Sequence, residues 1–204
     1  MESVKEKIIS AEWRMFDQVH NIGGRADCQD NHKTFYIMRN SQLSAWTGAM
    51  LESYYEDLKE AKREGRNLLA EKYGYMMEKT SPSEYQKIRA MLPERSFEKR
   101  QLIHKICQVH MGWIKELAQE YPAILKRGRS ISSQDDAYGW ASFETYLAGE
   151  LSTYSLKTLE LYDRYIDKLE EEGSNLNRII LENEMSQYGF HTLEEAEESI
   201  KDHN

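Results

Sequence analysis

The segment TFYIMRNSQLSAWTGAMLESYYEDLKEAKREGRNLLAEKY, residues 34–73, is answered without a gap by SFETYLAGELSTYSLKTLELYDRYIDKLEEEGSNLNRIIL, residues 142–181. Phe35 meets Phe143, Leu43 meets Leu151, Ser44 meets Ser152 and Tyr54 meets Tyr162. Glu64-Gly65 and Asn67-Leu68 then meet Glu172-Gly173 and Asn175-Leu176. Upstream, with small gaps, Gly24-Arg25 pairs with Gly128-Arg129, and Gln29-Asp30 with Gln134-Asp135. Two amphipathic helices share scattered apolar positions by chance. A shared Gly-x-Asn-Leu break and a shared Gly-Arg loop in one register point instead to duplication. Two units are too few for a solenoid, where about three are usual. The fold class expected is therefore all-α, a closed helical bundle of two related halves.

Working outward, only Pro82, Pro93 and Pro122 interrupt the chain, and alternating β-branched runs are scarce. Helical period predicts helices near 4–21, 34–63, 66–79, 82–90, 97–120, 142–172, 174–188 and 193–201. Ser3-x-x-Glu6, Ser81-Pro82-Ser83-Glu84 and Thr192-x-x-Glu195 read as capping boxes. Gly65 and Gly173 read as helix ends, since glycine adopts the left-handed conformation at little strain. One domain over 1–204 is expected, with repeat units of about 4–80 and 97–188 and a C-terminal helix at 193–201.

A chain of 204 residues can bury a core without staples. Its formal charge of -8 argues against a polyanion-binding surface, so no nucleic-acid partner is expected. Cys28 and Cys107 make no disulfide framework, which suits a reducing compartment. The start, MESVKEKIISAEW, lacks the apolar core of a signal peptide. No run of about 18 apolar residues marks a membrane span. A cytoplasmic protein without a membrane partner is the expectation.

In the first helix Ile9, Trp13, Phe16, Val19 and His20 share an arc of about 120 degrees, and Glu12 falls on it. A carboxylate on a buried stripe has to be paired, neutralised or part of a site. Downstream, Phe35, Met38, Trp46 and Met50 define an apolar face with Arg39, Gln42 and Asp57 on it or at its edge, and Glu150 stands where Gln42 stands in the first unit. Glu144 follows Phe143. With Arg25 and Arg129 from the loops, three arginines and several carboxylates converge near a pseudo-twofold axis. A guanidinium fork fits a carboxylate or phosphate, and a carboxylate near aromatics can work as acid or base. Two readings stay open: ion pairs that fix the halves in register, or a ligand site. Glu12 is expected to contact Arg25 or Arg129. Trp140, before Ser142-Phe143, is the best candidate for a ligand wall.

Other chemistry has thinner support. Asp17-x-x-His20 and Cys107-x-x-His110 have one-turn spacing, yet no Glu-x-x-His pair or CxxC pair accompanies them, so no metal and no cofactor are expected. Phosphate loops, GxSxG and HExxH are absent. Gly23-Gly24-Arg25 is a turn with a positive end, too short for a phosphate loop. Cys28, with His32 the nearest imidazole in sequence, is a weak nucleophile candidate.

The strings GGRADCQ, GRNLLAEKY, SFETYL and ELSTYS resemble a bacterial domain-of-unknown-function family, DUF4125, over about Glu12 to Gly189. The resemblance implies no activity. Carried residue by residue it points to Glu12, Gly24, Arg25, Cys28, Gln29, Arg66, Asn67, Glu71, Glu144 and Glu150. At 133–136 this chain reads SQDD where the family string is nearer SED, which puts Gln134 in doubt. The expected function is binding of a small anionic metabolite in a polar cavity between the halves. Arg25, Arg39, Arg129, Gln29 and Trp140 would bind, and Glu12, Glu144 and Glu150 would orient the ligand or act as acid and base. The alternative is a non-enzymatic helical module that partners an enzyme or a second copy of itself.

Overall fold

A computed structural model describes residues 2–20 and 24–202, with Asp27 described by its backbone alone. Eleven α-helices fill the described residues: α1 (Val4–Asp17), α2 (His32–Ser44), α3 (Gly48–Arg63), α4 (Leu68–Thr80), α5 (Pro82–Ile88), α6 (Phe97–Glu120), α7 (Pro122–Lys126), α8 (Phe143–Leu151), α9 (Leu156–Glu171), α10 (Leu176–Gln187) and α11 (Leu193–Asp202). Short 3-10 turns cover Asp27–Asp30, Arg89–Met91 and Ser133–Asp135. The described residues hold no strand, only an isolated bridge between Ala137 and Trp140. No helix among them is long and apolar enough to cross a membrane.

The two long helices expected over 34–63 and 142–172 are each broken. Thr47 and Ser155 start helices afresh, their hydroxyls accepting the N–H of Met50 and of Thr158. Such a hydroxyl competes with the backbone for the orphan donors of a first turn, so it favours a new start over an unbroken run. The first helix stops at Asp17 instead of continuing to 21, a position outside the described residues. Pro122 opens α7, whose five residues are too few for periodicity to resolve. Ser3 and Thr192 cap as expected. Ser81 does not: it also ends α4, and its carbonyl, not its hydroxyl, takes the N–H groups of Glu84 and Tyr85.

Gly65 and Gly173 close α3 and α9 at φ +69 and +65. The next residue in each case donates back into the helix, Arg66 to the Ala61 carbonyl and Ser174 to that of Leu169. Asn67 and Asn175 then cap α4 and α10 and also reach sideways, to the Met15 carbonyl of α1 and the Trp113 carbonyl of α6. α1 thus lies against α2, α3 and α4, while α6 lies against α8, α9 and α10. Across the molecule α4 packs on α8, α10 on α2, and α3 on α9.

The main core gathers Ile8, Leu43, Met50, Leu58, Ile106 and Ile166, all nearly sealed from solvent. A smaller cluster joins the end of α6 to α7 and α11. There the Glu197 carboxylate accepts from the N–H groups of Ala123 and Ile124.

The α4–α8 crossing depends on Gly149. A Cβ there would meet Met76 Cγ at 2.6 Å and the Lys72 carbonyl at 3.0 Å. Gly149→Ala is expected to lower stability by about 1–3 kcal/mol, the usual range for overpacking. Urea unfolding measures this, and an unchanged midpoint would mean the two helices part without loss.

Candidate functional site

Arg39, on the inward face of α2, is 7% exposed and lies between two carboxylates. Its Nε and Nη2 donate to Glu12 Oε2 and Oε1 at 2.7 and 2.6 Å, a bidentate pair. Its Nη1 donates to Glu150 Oε1 at 2.9 Å and to Gln42 Oε1 at 2.6 Å. Lys72 of α4 donates to Glu150 Oε2 at 2.6 Å. Tyr54 donates to Glu12 and Tyr154 to Glu150, both at 2.7 Å. Two anions and two cations therefore balance inside the bundle, and every carboxylate oxygen has a donor. Burial alone would push the Glu150 carboxyl up, but Arg39 and Lys72, with the hydrogen bonds of Lys72 and Tyr154, hold it well below the usual carboxylate range. It stays ionised and is no acid near neutrality.

The expected contact of Glu12 with Arg25 or Arg129 is not formed; its partner is Arg39. The loops hold the other two arginines at the surface. Arg25 clamps Asp17 and Asp30 at 2.6 and 2.8 Å and the Gln29 carbonyl at 2.8 Å, closing its own loop. Gln29 is buried beneath it, donating to the carbonyls of Phe16 and Val19 and accepting from the Ala26 N–H. Glu144 accepts the Ser133 N–H at 2.7 Å, and Asp136 accepts from Ser142 and Thr145, so the second loop is tied by different residues. Trp140 is 58% exposed.

Arg129 is exposed, and its one hydrogen bond among the described residues goes to the Ala141 carbonyl. Its guanidinium stands 4.6 Å from the centroid of the Tyr146 ring, and Lys72 Nζ stands 3.5 Å from the same centroid. Tyr146 is thus the link from the buried charges to the surface. Burial lifts the Tyr73 phenol to about 12, with Lys72 and Arg129 acting against the rise and Tyr146 and Cys28 adding to it. Neither the Tyr73 nor the Tyr146 hydroxyl is engaged by a described residue. The two hydroxyls, and the Arg129 N–H groups that the Ala141 carbonyl does not hold, are left as donors without a partner among the described residues.

Sequence reasoning singled out Glu12, Arg39 and Glu150, which the fold joins, but missed Lys72, Tyr54 and Tyr154. For Lys72 a signal was present: it shares the stripe of Leu68, Leu69, Tyr75 and Met76, all buried. His110 also proves interior. Asn177 donates to the His110 carbonyl, which turns its own Oδ1 to the ring Nδ1 at 2.6 Å, while Tyr162 bonds Nε2 at 2.9 Å. Both ring nitrogens are thus engaged within the core, and Asp17 is engaged by Arg25. Among the described residues no three His, Cys, Asp or Glu side chains group as metal ligands.

A family model described as "Protein of unknown function (DUF4125)" matches residues 2–198. No curated protein and no solved structure matches the chain.

Two measurements test the interior. Glu12 is 2% exposed, so Glu12→Gln, which keeps shape but leaves the buried Arg39 and Lys72 with Glu150 as their one anion, should lower stability by about 3–5 kcal/mol in urea unfolding. A loss under 1 kcal/mol would mean that the pair is dispensable. Desolvation drops the His110 imidazole to about 4. The unfolded chain then binds the extra proton between about pH 6.5 and 4, so this stability is complete above 6.5 and lost as pH falls. The full effect is about 3 kcal/mol, and His110→Gln should flatten the dependence between pH 5 and 6.5; an equally steep profile in that variant would contradict this.

Proposed function

The chain belongs to the DUF4125 family, and we propose from its geometry that it binds a small anionic metabolite at the junction of two duplicated halves. The observation that carries this reading is the Arg129 guanidinium on the Tyr146 ring at the outer end of a buried line of charges, with N–H groups beyond its bond to Ala141 and with the Tyr146 hydroxyl, and that of Tyr73 next to Lys72, unengaged among the described residues. The ligand's anion would sit on the Arg129 guanidinium and the two hydroxyls. The exposed aromatic Trp140, one residue from the carbonyl that holds Arg129, is the wall for its apolar part. Lys72, fixed by Glu150 beneath the Tyr146 ring, adds positive potential from inside. Glu12, Arg39 and Glu150 serve in this reading as the electrostatic base of the site and not as acid or base.

Duplication is supported by the matched register of α3 with α9 and of α4 with α10, each pair flanking a left-handed glycine. The junction of α4 and α8, where Lys72 and Tyr146 meet, then lies between the halves. A reducing cytoplasm suits the free thiols of Cys28 and Cys107. A helical interaction module is the second reading, favoured by the exposed Met91, Phe97, Tyr138 and Trp140.

Thermal shift against a panel of small carboxylates and phosphate esters separates the two. An anion that stabilises the native chain raises the melting temperature. Arg129→Gln should abolish that shift while leaving the ligand-free melting temperature unchanged, and Tyr73→Phe should weaken it. Shifts that persist in Arg129→Gln, or a panel with no effect, would leave the module reading in possession.

A further inference from the structure

Trp46, at the join of α2 and α3, faces both outward and inward. Outward, it lines a surface cavity of about 430 Å³ together with Val4, Leu43 and Leu51. Inward, its ring stands edge-on to three phenols, Tyr54, Tyr154 and Tyr162, at 5.7, 5.8 and 5.7 Å between centroids. Indole and phenol are the side-chain rings that give up one electron most readily. Each phenol here has a proton acceptor within hydrogen-bond reach, but the acceptors differ. Glu12 Oε1 and Glu150 Oε1, which take the Tyr54 and Tyr154 hydroxyls, each also accept an Arg39 N–H. A proton arriving there would undo a buried ion pair. Tyr162 instead faces His110 Nε2 at 2.9 Å. Asn177 donates to the His110 carbonyl at 3.0 Å, so its Oδ1, 2.6 Å from Nδ1, keeps the ring proton on Nδ1. Nε2 is therefore the nitrogen with the free lone pair, and Tyr162 is its one partner among the described residues. The Trp46 indole nitrogen is sealed and has no acceptor among those residues.

We propose that Trp46, Tyr162 and His110 form a one-electron relay that carries an oxidising equivalent from a small oxyl radical at the cavity to a sealed tyrosine. The oxyl radical takes one electron from the indole and is reduced to its closed-shell anion. With no acceptor at Nε1, the indole cation radical keeps its proton and stays strongly oxidising, so it draws an electron from the Tyr162 ring. The oxidised phenol passes its proton along the 2.9 Å bond to Nε2, which leaves a neutral tyrosyl radical beside an imidazolium. One electron has left the protein, and one proton has moved within it. Burial holds the His110 imidazole down at about 4, so the proton returns to the oxygen when the radical is reduced again. Tyr162 is 1% exposed, which keeps its radical from coupling with a second phenol.

The test exposes the whole protein to carbonate radical, made by pulse radiolysis in bicarbonate, and reads freeze-quenched samples by electron paramagnetic resonance. One tyrosyl signal should outlive those of exposed phenols such as Tyr138. Tyr162 is the one phenol bonded to a histidine among the described residues, so isotopic labelling of histidine nitrogen should change the couplings of that signal. Tyr162→Phe should delete it, and Trp46→Phe should cut its yield to less than half. Should Tyr162→Phe not fold, the histidine coupling decides, since it is read on the unchanged chain. The proposal is overturned by a long-lived signal that ignores the histidine label, by one that survives in Tyr162→Phe, or by no long-lived tyrosyl radical at all. A full yield in Trp46→Phe overturns the entry through the indole.

Discussion

The fold turns on one guanidinium removed from water. A buried cation is tolerable only where anions meet it with good geometry, and Arg39 meets two, from distant parts of the chain. Glu12 comes from α1 and Glu150 from α8. Each carboxylate then calls for further donors, which Tyr54, Tyr154, Gln42 and Lys72 supply. Satisfying Arg39 therefore fixes the relative placement of α1, α2, α3, α4 and α8. Hydrophobic packing alone is non-directional and would permit many sliding arrangements of these helices; a fork with two fixed acceptors does not.

The network is one-sided although the two segments match in sequence register. Leu147 stands in the register position of Arg39, and Glu150 in that of Gln42. Around the tyrosine pair the same contrast recurs: Tyr54 donates to a carboxylate on α1, while Tyr162 bonds an imidazole on α6. One arm holds charge, the other holds a neutral ring. Between them Trp46 stands edge-on to Tyr54, Tyr154 and Tyr162, with ring centroids 5.7–5.8 Å apart. Its indole nitrogen, sealed from solvent, has no hydrogen-bond partner among the described residues.

Much of this was legible in the sequence because it is periodic or local. The Gly-x-Asn breaks, the helical class and the polar intruders Glu12, Arg39 and Glu150 all follow from spacing. The partner choice did not follow. Arg25 is near Glu12 in sequence, but Asp17 and Asp30 are nearer still in space and hold it at the surface. Lys72 was hidden because a lysine reads as solvated unless its neighbours on the stripe are weighed. The helix breaks at 45–47 and 152–155 were hidden because the apolar period runs across them, and a lone hydroxyl is a faint stop signal. The uncommitted donors around Tyr146 come from loops and helices whose meeting depends on the α4–α8 crossing, which no single segment encodes.

That crossing has a consequence in time. α4 packs on α8, and α2 on α10, so the first half leaves the ribosome with two faces that only later residues cover. At synthesis rates of about 5–20 residues per second, the stretch from Lys72 to Glu150 takes on the order of several seconds to appear. Throughout that interval Lys72 lacks its anion, and the α2 and α4 faces lack their lids. The links of Arg39 and Lys72 to Glu150, and the α4–α8 and α2–α10 contacts, form only once the second half has appeared.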